Sequence, residues 1–319
     1  MPIKRKPIAL RENILPVPVK DKTPVLSFTD RDVIIAPFSM VHYESPTSQL
    51  PERDAAPLFE MYYLQGGEYW LSKATNSRFE MISRPKKVNG PMESVIKVDN
   101  KYYSSGHYWY GYPCFTDFST SPDGINFTKV TQPRIIESGE DRTMFYHNKT
   151  FYCYVRVSGR VKPRSIGLMT STDFLNWTPI QTILTPDVQD VNKEFYSMCV
   201  IKKGNDWFGL LHVLELDALK KDVEQLPPYL PNDNILSTQL TYSTDGMTWV
   251  RCNGRKDFIP RGDTKQQVAL PTIVEDRVLF YSLESTRHHT DYEQANPNGR
   301  YFKIEKYEMT WNDLLKYKP

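Results

Sequence analysis

The sequence has few cysteines, almost no net charge and no long hydrophobic run, and each of these absences excludes a class of protein. Four cysteines occur in 319 residues, far apart and without a Cys-x-x-Cys pair, so we expect reduced, mostly buried thiols rather than disulfides or zinc ligands. A formal net charge of +2 is too small to indicate a nucleic-acid partner. No segment approaches the roughly 18 apolar residues of a membrane span.

The N-terminal residues do not have the pattern of a secretion signal, because the short apolar stretch 8–10 is followed at once by Arg11 and Glu12. We therefore expect a cytoplasmic or virion-associated protein. Residues 1–30 are charged, rich in proline and without periodicity, which predicts an extended arm. Two interpretations of this arm are open: a strand or loop that closes the domain edge, or a docking segment for a larger protein assembly.

The residues that are abundant favour strands and turns. The chain contains 20 Tyr, 15 Phe and 6 Trp, which suit pleated sheets that pack on one another, and 24 Pro, which argue against long helices. A motif of the form Ser-x-Asp-(Gly/Phe)-x-x-aromatic begins at Ser121, Ser171 and Ser243. Ser and Asp side chains can hydrogen-bond the backbone of a tight turn, and Gly tolerates a positive φ. The motif therefore predicts a repeated hairpin turn.

A second unit also recurs: an apolar strand, a short polar turn and an aromatic-rich strand. Together the two patterns give four strands per unit and five units, which predicts an all-β, five-bladed β-propeller with four-stranded antiparallel blades. After the arm, a single domain spans 31–319, with blades at about 31–88, 89–134, 135–187, 188–262 and 263–319. Residues 216–234 interrupt the fourth blade and read as a surface loop, and 309–316 read as a short closing helix.

Polar residues at the start of each innermost strand are expected to converge on one central funnel. Carboxylates crowded together raise one another's pKa, and a protonated acid beside an ionised carboxylate can break a glycosidic bond. The predicted catalytic residues are Asp141, Glu194 and Glu93. The predicted substrate-binding residues are Arg142, Arg156, Tyr196, Trp109 and His288.

Each of these residues also has a structural interpretation. The tripeptide 140–142 could be an internal ion pair, Arg156 and Arg164 could be solvated charges, and Trp109 could be part of a packed edge. His212 lies in an apolar strand and reads as a core histidine. Adjacent residues of a strand point to opposite faces, so His288 and His289 are not expected to bind a metal together.

Several segments, taken in order, resemble the five-bladed propellers of glycoside hydrolase type, the arabinanase- and fructosidase-like group, and within it an uncharacterised bacterial and phage branch. The resemblance covers about residues 31–308 and rests on Glu140-Asp-Arg, Phe151-Tyr-Cys-Tyr-Val-Arg156, Arg164-Ser-Ile-Gly, Glu194-Phe-Tyr-Ser-Met198, the turn motifs that begin at Ser171 and Ser243, and Phe280-Tyr281. It implies a glycan in the central funnel, with Asp and Glu from separate blades as base and acid. One departure is notable: the family places a catalytic Asp on the first blade's inner strand, where this chain has Ala36-Pro-Phe-Ser39.

Two hypotheses follow. In the first, the protein is a glycoside hydrolase that works without a metal or cofactor on an oligo- or polysaccharide. In the second, it binds glycans without turnover or is a structural protein of a larger assembly such as a phage particle. The carboxylate cluster favours the first, and the missing first-blade Asp favours the second.

Overall fold

The computed structural model describes residues 15–22, 25–28, 37–42, 59–65, 68–74, 77, 85–90, 93–108, 115–130, 135–136, 143–157, 163–216, 235–286 and 302–319. In these ranges nearly all regular structure is β-strand, and a single α-helix, α1 (Trp311–Leu315), follows the last strand. The Thr310 side chain caps this helix by accepting a hydrogen bond from the Asp313 N–H. The predicted closing helix is therefore confirmed.

The strands follow one another in blade order. Two strands, β1 (Val19–Lys20) and β2 (Leu26–Phe28), precede the first blade. Blade one contains β3 (Pro37–His42), β4 (Phe59–Gln65), β5 (Glu68–Ala74) and β6 (Lys86–Val88). Blade two contains β7 (Ser94–Val98), β8 (Lys101–Tyr108), β9 (Phe115–Ser121) and β10 (Thr128–Lys129), and β11 (Ile135–Ile136) also pairs with β9.

The remaining blades have the same order. Blade three contains β12 (Thr143–His147), β13 (Thr150–Val157), β14 (Ser165–Ser171) and β15 (Gln181–Leu184). Blade four contains β16 (Lys193–Lys203), β17 (Asp206–Glu215), β18 (Ile235–Ser243) and β19 (Val250–Arg251). Blade five contains β20 (Gln266–Val274), β21 (Arg277–Ser285) and β22 (Phe302–Thr310), and β1 and β2 pair with β22 at its edge.

The first strand of each blade lies innermost, and these strands form a closed ring. Strand β3 contacts β7, β7 contacts β12, β12 contacts β16, β16 contacts β20, and β20 returns to β3. Residues of β7, β12, β16 and β20 line one axial cavity of about 270 Å³. The all-β five-bladed propeller predicted from the repeats is confirmed, and radial closure leaves only short edges.

The N-terminal segment supplies the outer strand of blade five. Val19 and Lys20 pair with Glu308 and Tyr307 of β22 in antiparallel register. The Lys20 ammonium lies 3.3 Å from the buried Glu284 carboxylate. The described part of the arm therefore lies where a strand that closes the domain edge is expected. The blade boundaries and a docking role for residues 1–30 stay predictions.

The repeated motif forms the turn between the third and fourth strands of blades two, three and four. In blade two the Ser121 hydroxyl accepts hydrogen bonds from the N–H groups of Asp123, at 3.2 Å, and Gly124, at 3.0 Å. The Asp123 carboxylate accepts from the N–H groups of Ile125, at 2.8 Å, and Asn126, at 2.9 Å. These hydrogen bonds to the charged form, led by that from Asn126, hold the pKa of Asp123 well below its usual value.

Two of these turns also join one blade to the next. The Tyr62 hydroxyl of blade one donates to the Gly124 carbonyl of blade two, at 3.1 Å. The Tyr154 hydroxyl of blade three donates to the Gly246 carbonyl of blade four, at 2.9 Å. Both glycines have positive φ, and a Cβ at Gly124 would lie 2.6 Å from the Tyr62 hydroxyl oxygen. Glycine is needed here for both conformation and space.

Candidate functional site

The inner strand of blade four begins with a β-bulge. Strand β16 pairs Phe195 with Val213 and Ser197 with His212 of β17, so Tyr196 is the extra residue. A bulge bends the strand and redirects side chains, and bulges are frequent next to active sites. Of the predicted residues, Tyr196 is therefore the bulged residue, and Glu194, paired with Leu214, lies two positions before it near the start of the strand.

Glu194 forms an ion pair with an arginine of blade three. The Arg164 guanidinium donates to the Glu194 carboxylate at 2.9 Å, and the Arg164 carbonyl accepts from the Phe195 N–H, also at 2.9 Å. The Glu194 side chain remains 20% exposed, and it faces a cavity between the two blades. Main-chain and side-chain contacts together fix this carboxylate at the junction of blades three and four.

Tyr196 lies against two arginines. The Arg156 guanidinium carbon is 4.5 Å from the centre of the Tyr196 ring, and that of Arg164 is 6.0 Å away. Arg156 is almost fully buried on β13. An aromatic ring attracts a cation placed over its face. The structure therefore brings together Glu194, Tyr196, Arg156 and Arg164.

The loop that precedes β16 is held by a second set of ion pairs. Both carboxylate oxygens of Asp190 lie 3.2 Å from Arg251, and Arg255 reaches Asp190 at 2.9 Å and Asp187 at 2.6 Å. The hydrogen bond from Arg255 lowers the pKa of the Asp187 carboxyl to about 2. The Arg251 guanidinium also lies 4.8 Å from the centre of the Phe195 ring. This network holds in place the loop that leads to Glu194.

The sequence analysis missed these four ion-paired residues. Asp187 and Asp190 are three residues apart, and Arg251 and Arg255 follow more than 60 positions later. In the sequence, the only available signal was the close spacing of the two acids within one turn. Their pairing depends on the packing of the loop against blade four, which no local pattern encodes.

A cavity of about 570 Å³ lies beside Glu194. Its described lining comprises Pro163, Pro186, Asp187, Val188, Asp190, Val191, Asn192, Lys193, Glu194 and Leu216. This volume is within the ~300–1,000 Å³ typical of ligand pockets. Glu194 is therefore both anchored and accessible from a pocket of ligand size.

Glu93 lies in a different blade, just before β7. It is buried, and its N–H donates to the Ser105 carbonyl at 2.8 Å. The same blade contains a second buried acid, Asp117, which the sequence analysis did not select. Asp117 pairs in register with Gly106, the residue after Ser105, and forms an ion pair with Lys129 at 2.5 Å. Blade two thus carries two buried acids close in register near the start of its inner strand.

The other predicted site residues, Asp141, Arg142, Trp109 and His288, lie outside the described residues. Their roles stay predictions. His212, in contrast, is fully buried, its Nε2 accepts from the Ala269 N–H at 3.1 Å, and its Nδ1 lies 2.6 Å from the Ser197 hydroxyl. Burial lowers the pKa of His212 to about 4, so the ring is neutral at pH 7. The interpretation as a core histidine is confirmed.

Three solved structures with the same architecture are similar to this chain. A glycoside hydrolase aligns at 9% identity and a TM-score of 0.56, covering 92% of this chain and 91% of that one. A thermostable family-43 glycoside hydrolase aligns at 12% identity and 0.55, covering 86% and 89%. A mutant Bombyx mori GH32 β-fructofuranosidase in complex with sucrose aligns at 10% identity and 0.55, covering 88% and 61%.

The fold is that of the glycoside hydrolase propellers. The chain spans 61% of the length of the silkworm enzyme chain. No family model matches the sequence, and no curated protein matches it. At these identities the likeness to this propeller type concerns the fold alone.

In the part of the chain that the structure describes, no helix has the length and apolar character needed to cross a membrane. Over the same residues, no group of three His, Cys, Asp or Glu side chains is placed to hold a metal ion. The described cysteines Cys153, Cys199 and Cys252 are buried thiols, as predicted, and Cys114 lies outside the described residues.

Proposed function

We propose that this propeller is carbohydrate-active and hydrolyses a glycosidic bond at the mouth of its axial channel. Glu194 is the general acid, Asp141 is the base or a pKa-setting carboxylate, and Glu93 is the third acid. The observation that carries the proposal is the placement of Glu194. It stands at a bulged inner-strand end, is held by Arg164, and opens onto a ligand-sized cavity.

Hydrolysis of a glycosidic bond requires two carboxyl groups in different protonation states. Protonated Glu194 gives its proton to the glycosidic oxygen as the bond from that oxygen to the anomeric carbon breaks. A water molecule adds to the anomeric carbon, directly or after a covalent intermediate, and a carboxylate takes up its proton. The products are a sugar with a free anomeric hydroxyl and an alcohol.

Neighbouring side chains have positioning roles. Arg164 orients the Glu194 carboxyl group. Tyr196, backed by Arg156, presents a ring beside Glu194 on which a sugar face can stack. Arg142, Trp109 and His288 are proposed to bind substrate hydroxyl groups. The sucrose bound to the silkworm β-fructofuranosidase supports a carbohydrate ligand for this fold.

The test is a screen of oligo- and polysaccharides by reducing-sugar release, followed by substitution of the two acids. Glu194→Gln and Asp141→Asn are each expected to lower kcat/KM by about 10²–10⁴-fold, because each removes a proton-transfer group. Asp257→Asn, an acid of blade four that pairs with Arg261 at 3.0 Å, is the matched control and should retain activity. Full activity in both site variants would refute the assignment.

A second candidate, a glycan-binding propeller without turnover, is favoured by one observation. Glu194 is paired as a carboxylate with Arg164, and the first-blade stretch 36–39 carries no acid. Saturable glycan binding by calorimetry without any reducing-sugar release would establish this candidate. Because β1 is part of blade five, a docking role for the arm is best tested by deleting residues 1–14 alone and measuring assembly size.

A further inference from the structure

The loop before β16 contains two strongly exposed valines. Val188 is 93% exposed and Val191 is 60% exposed. Single exposed apolar residues are ordinary, but these two stand together on the wall of the cavity that contains Glu194. Pro163, Pro186 and Leu216 extend the same apolar wall.

The loop holds these valines outward through its own hydrogen bonds. The Asp187 N–H donates to the Asp190 carboxylate at 3.2 Å, and the Asp190 N–H donates back to the Asp187 carbonyl at 2.9 Å. Both acids are turned toward Arg251 and Arg255. The Asp190 carboxylate is therefore buried and that of Asp187 is paired at the surface, while the two valines are exposed on the cavity wall.

The far wall of the cavity is tied to the same loop. The Leu216 N–H, at the end of β17, donates to the Asn192 carbonyl at 2.7 Å. Among the described residues that line the cavity none is aromatic. Unsubstituted sugar rings commonly stack on aromatic faces, whereas aliphatic walls gain free energy by removing apolar surface from water.

This inference rests on the proposed function, which determines the part of a substrate that would occupy this cavity. A general acid protonates the oxygen of the leaving group, so the leaving group lies next to the acid. The cavity beside Glu194 is therefore the place of the leaving group. We propose that this cavity is a subsite for an apolar aglycone, and that Val188 and Val191 determine its specificity.

The test uses the aglycone mimic 4-nitrophenol alone, so that it does not depend on turnover or on the identity of the sugar. The full-length protein with ¹³C-methyl-labelled valines is titrated, and the methyl signals of Val188 and Val191 are expected to shift in a saturable manner. The double substitution Val188→Ser, Val191→Ser should weaken binding by about tenfold, because the ligand then covers less apolar side-chain surface. Val250→Ser, on an exposed valine of blade four that is 44% exposed, is the control and should bind normally.

The possible outcomes separate this inference from the proposed function. Shifts at Val188 and Val191 that vanish in the double variant support the subsite even if no glycoside is cleaved. Unshifted valine methyls, or equal binding by the double variant and the wild type, overturn it even if Glu194→Gln abolishes hydrolysis. An active enzyme that cleaves methyl and 4-nitrophenyl glycosides of one sugar with the same KM also overturns it.

Discussion

Glu194 and Asp190 are four residues apart, and each is bound to arginine, yet their surroundings differ. The Asp190 side chain is 2% exposed and is held by both Arg251 and Arg255. The Glu194 side chain is 20% exposed and meets the single guanidinium of Arg164 at the edge of a cavity. The Asp190 carboxylate is almost fully buried, and the Glu194 carboxylate can be reached by a ligand.

This difference separates a structural acid, Asp190, from the proposed catalytic acid, Glu194. Removing one partner of a buried ion pair leaves an uncompensated charge, so such a pair resists change. A partly exposed pair contributes little to stability and can be opened at small cost. The segment 187–194 therefore combines a rigid attachment at Asp187 and Asp190 with an accessible carboxylate at Glu194, which is the arrangement that the proposed catalytic group needs.

The largest expected effect on stability is that of Asp190→Asn. The substitution leaves Arg251, which is nearly buried and whose pKa is already lowered by burial, without its full counter-charge. We expect a loss of about 3 kcal/mol in the free energy of unfolding, measured by urea denaturation. The control is Asp257→Asn, in a more exposed pair, which should change it by less than about 0.5 kcal/mol. Equal effects would show that burial does not distinguish these pairs.

Arg255→Lys tests the forked geometry of the same network. Arg255 reaches Asp187 through two nitrogens, at 2.6 and 2.5 Å, and Asp190 at 2.9 Å. A lysine keeps the charge but cannot make these parallel hydrogen bonds. A loss of about 1 kcal/mol is expected in the same denaturation assay. Arg261→Lys serves as the matched control, and an undiminished stability in Arg255→Lys would mean that charge alone holds the loop.

The repeats were sufficient to predict the propeller, because turn chemistry and strand alternation are local properties of the chain. They did not predict how the second motif copy, in blade three, departs from the other two. Phe174 stands where Gly124 and Gly246 occur, and it adopts φ 66° although it is not glycine. Its ring packs 4.7 Å from Tyr103 and 5.0 Å from Phe151. Burial in this aromatic cluster compensates the strain, and that compensation is a property of tertiary packing.

The site was predictable to a similar degree. Glu194, Tyr196 and Arg156 could be selected because the repeat shows where strands of blades three and four begin and end. The Asp190 network could not, because its arginines come from the outer part of blade four, about 60 residues later. The bulge at Tyr196 was also invisible, since one extra residue in a strand leaves the apolar alternation nearly unchanged.

A smaller effect is expected on the pH dependence of stability. The pKa of Asp187 in the folded protein is lowered to about 2 by Arg255, against a reference value of 3.8. A lowered folded-state pKa stabilises the protein above the unfolded-state value, and this contribution disappears as the pH falls through about 2. Asp187→Asn should therefore show a shallower loss of stability than the wild type between pH 5 and pH 2. Identical pH profiles would contradict a native-state pair between Asp187 and Arg255.

The smallest expected change in stability is that of Glu194→Gln. This variant tests whether Glu194 and Asp190 differ in their contribution to the stability of the fold. A pair with Arg164 that is open to a cavity should contribute between zero and about 1 kcal/mol, and glutamine can still accept a hydrogen bond from Arg164. Unfolding free energies of this variant and the wild type, measured side by side with Asp190→Asn, should therefore nearly coincide. A loss as large as that of Asp190→Asn would make Glu194 a second structural acid. A normal stability combined with lost glycan cleavage would mean that this carboxylate is retained for its chemistry, because the fold does not need it.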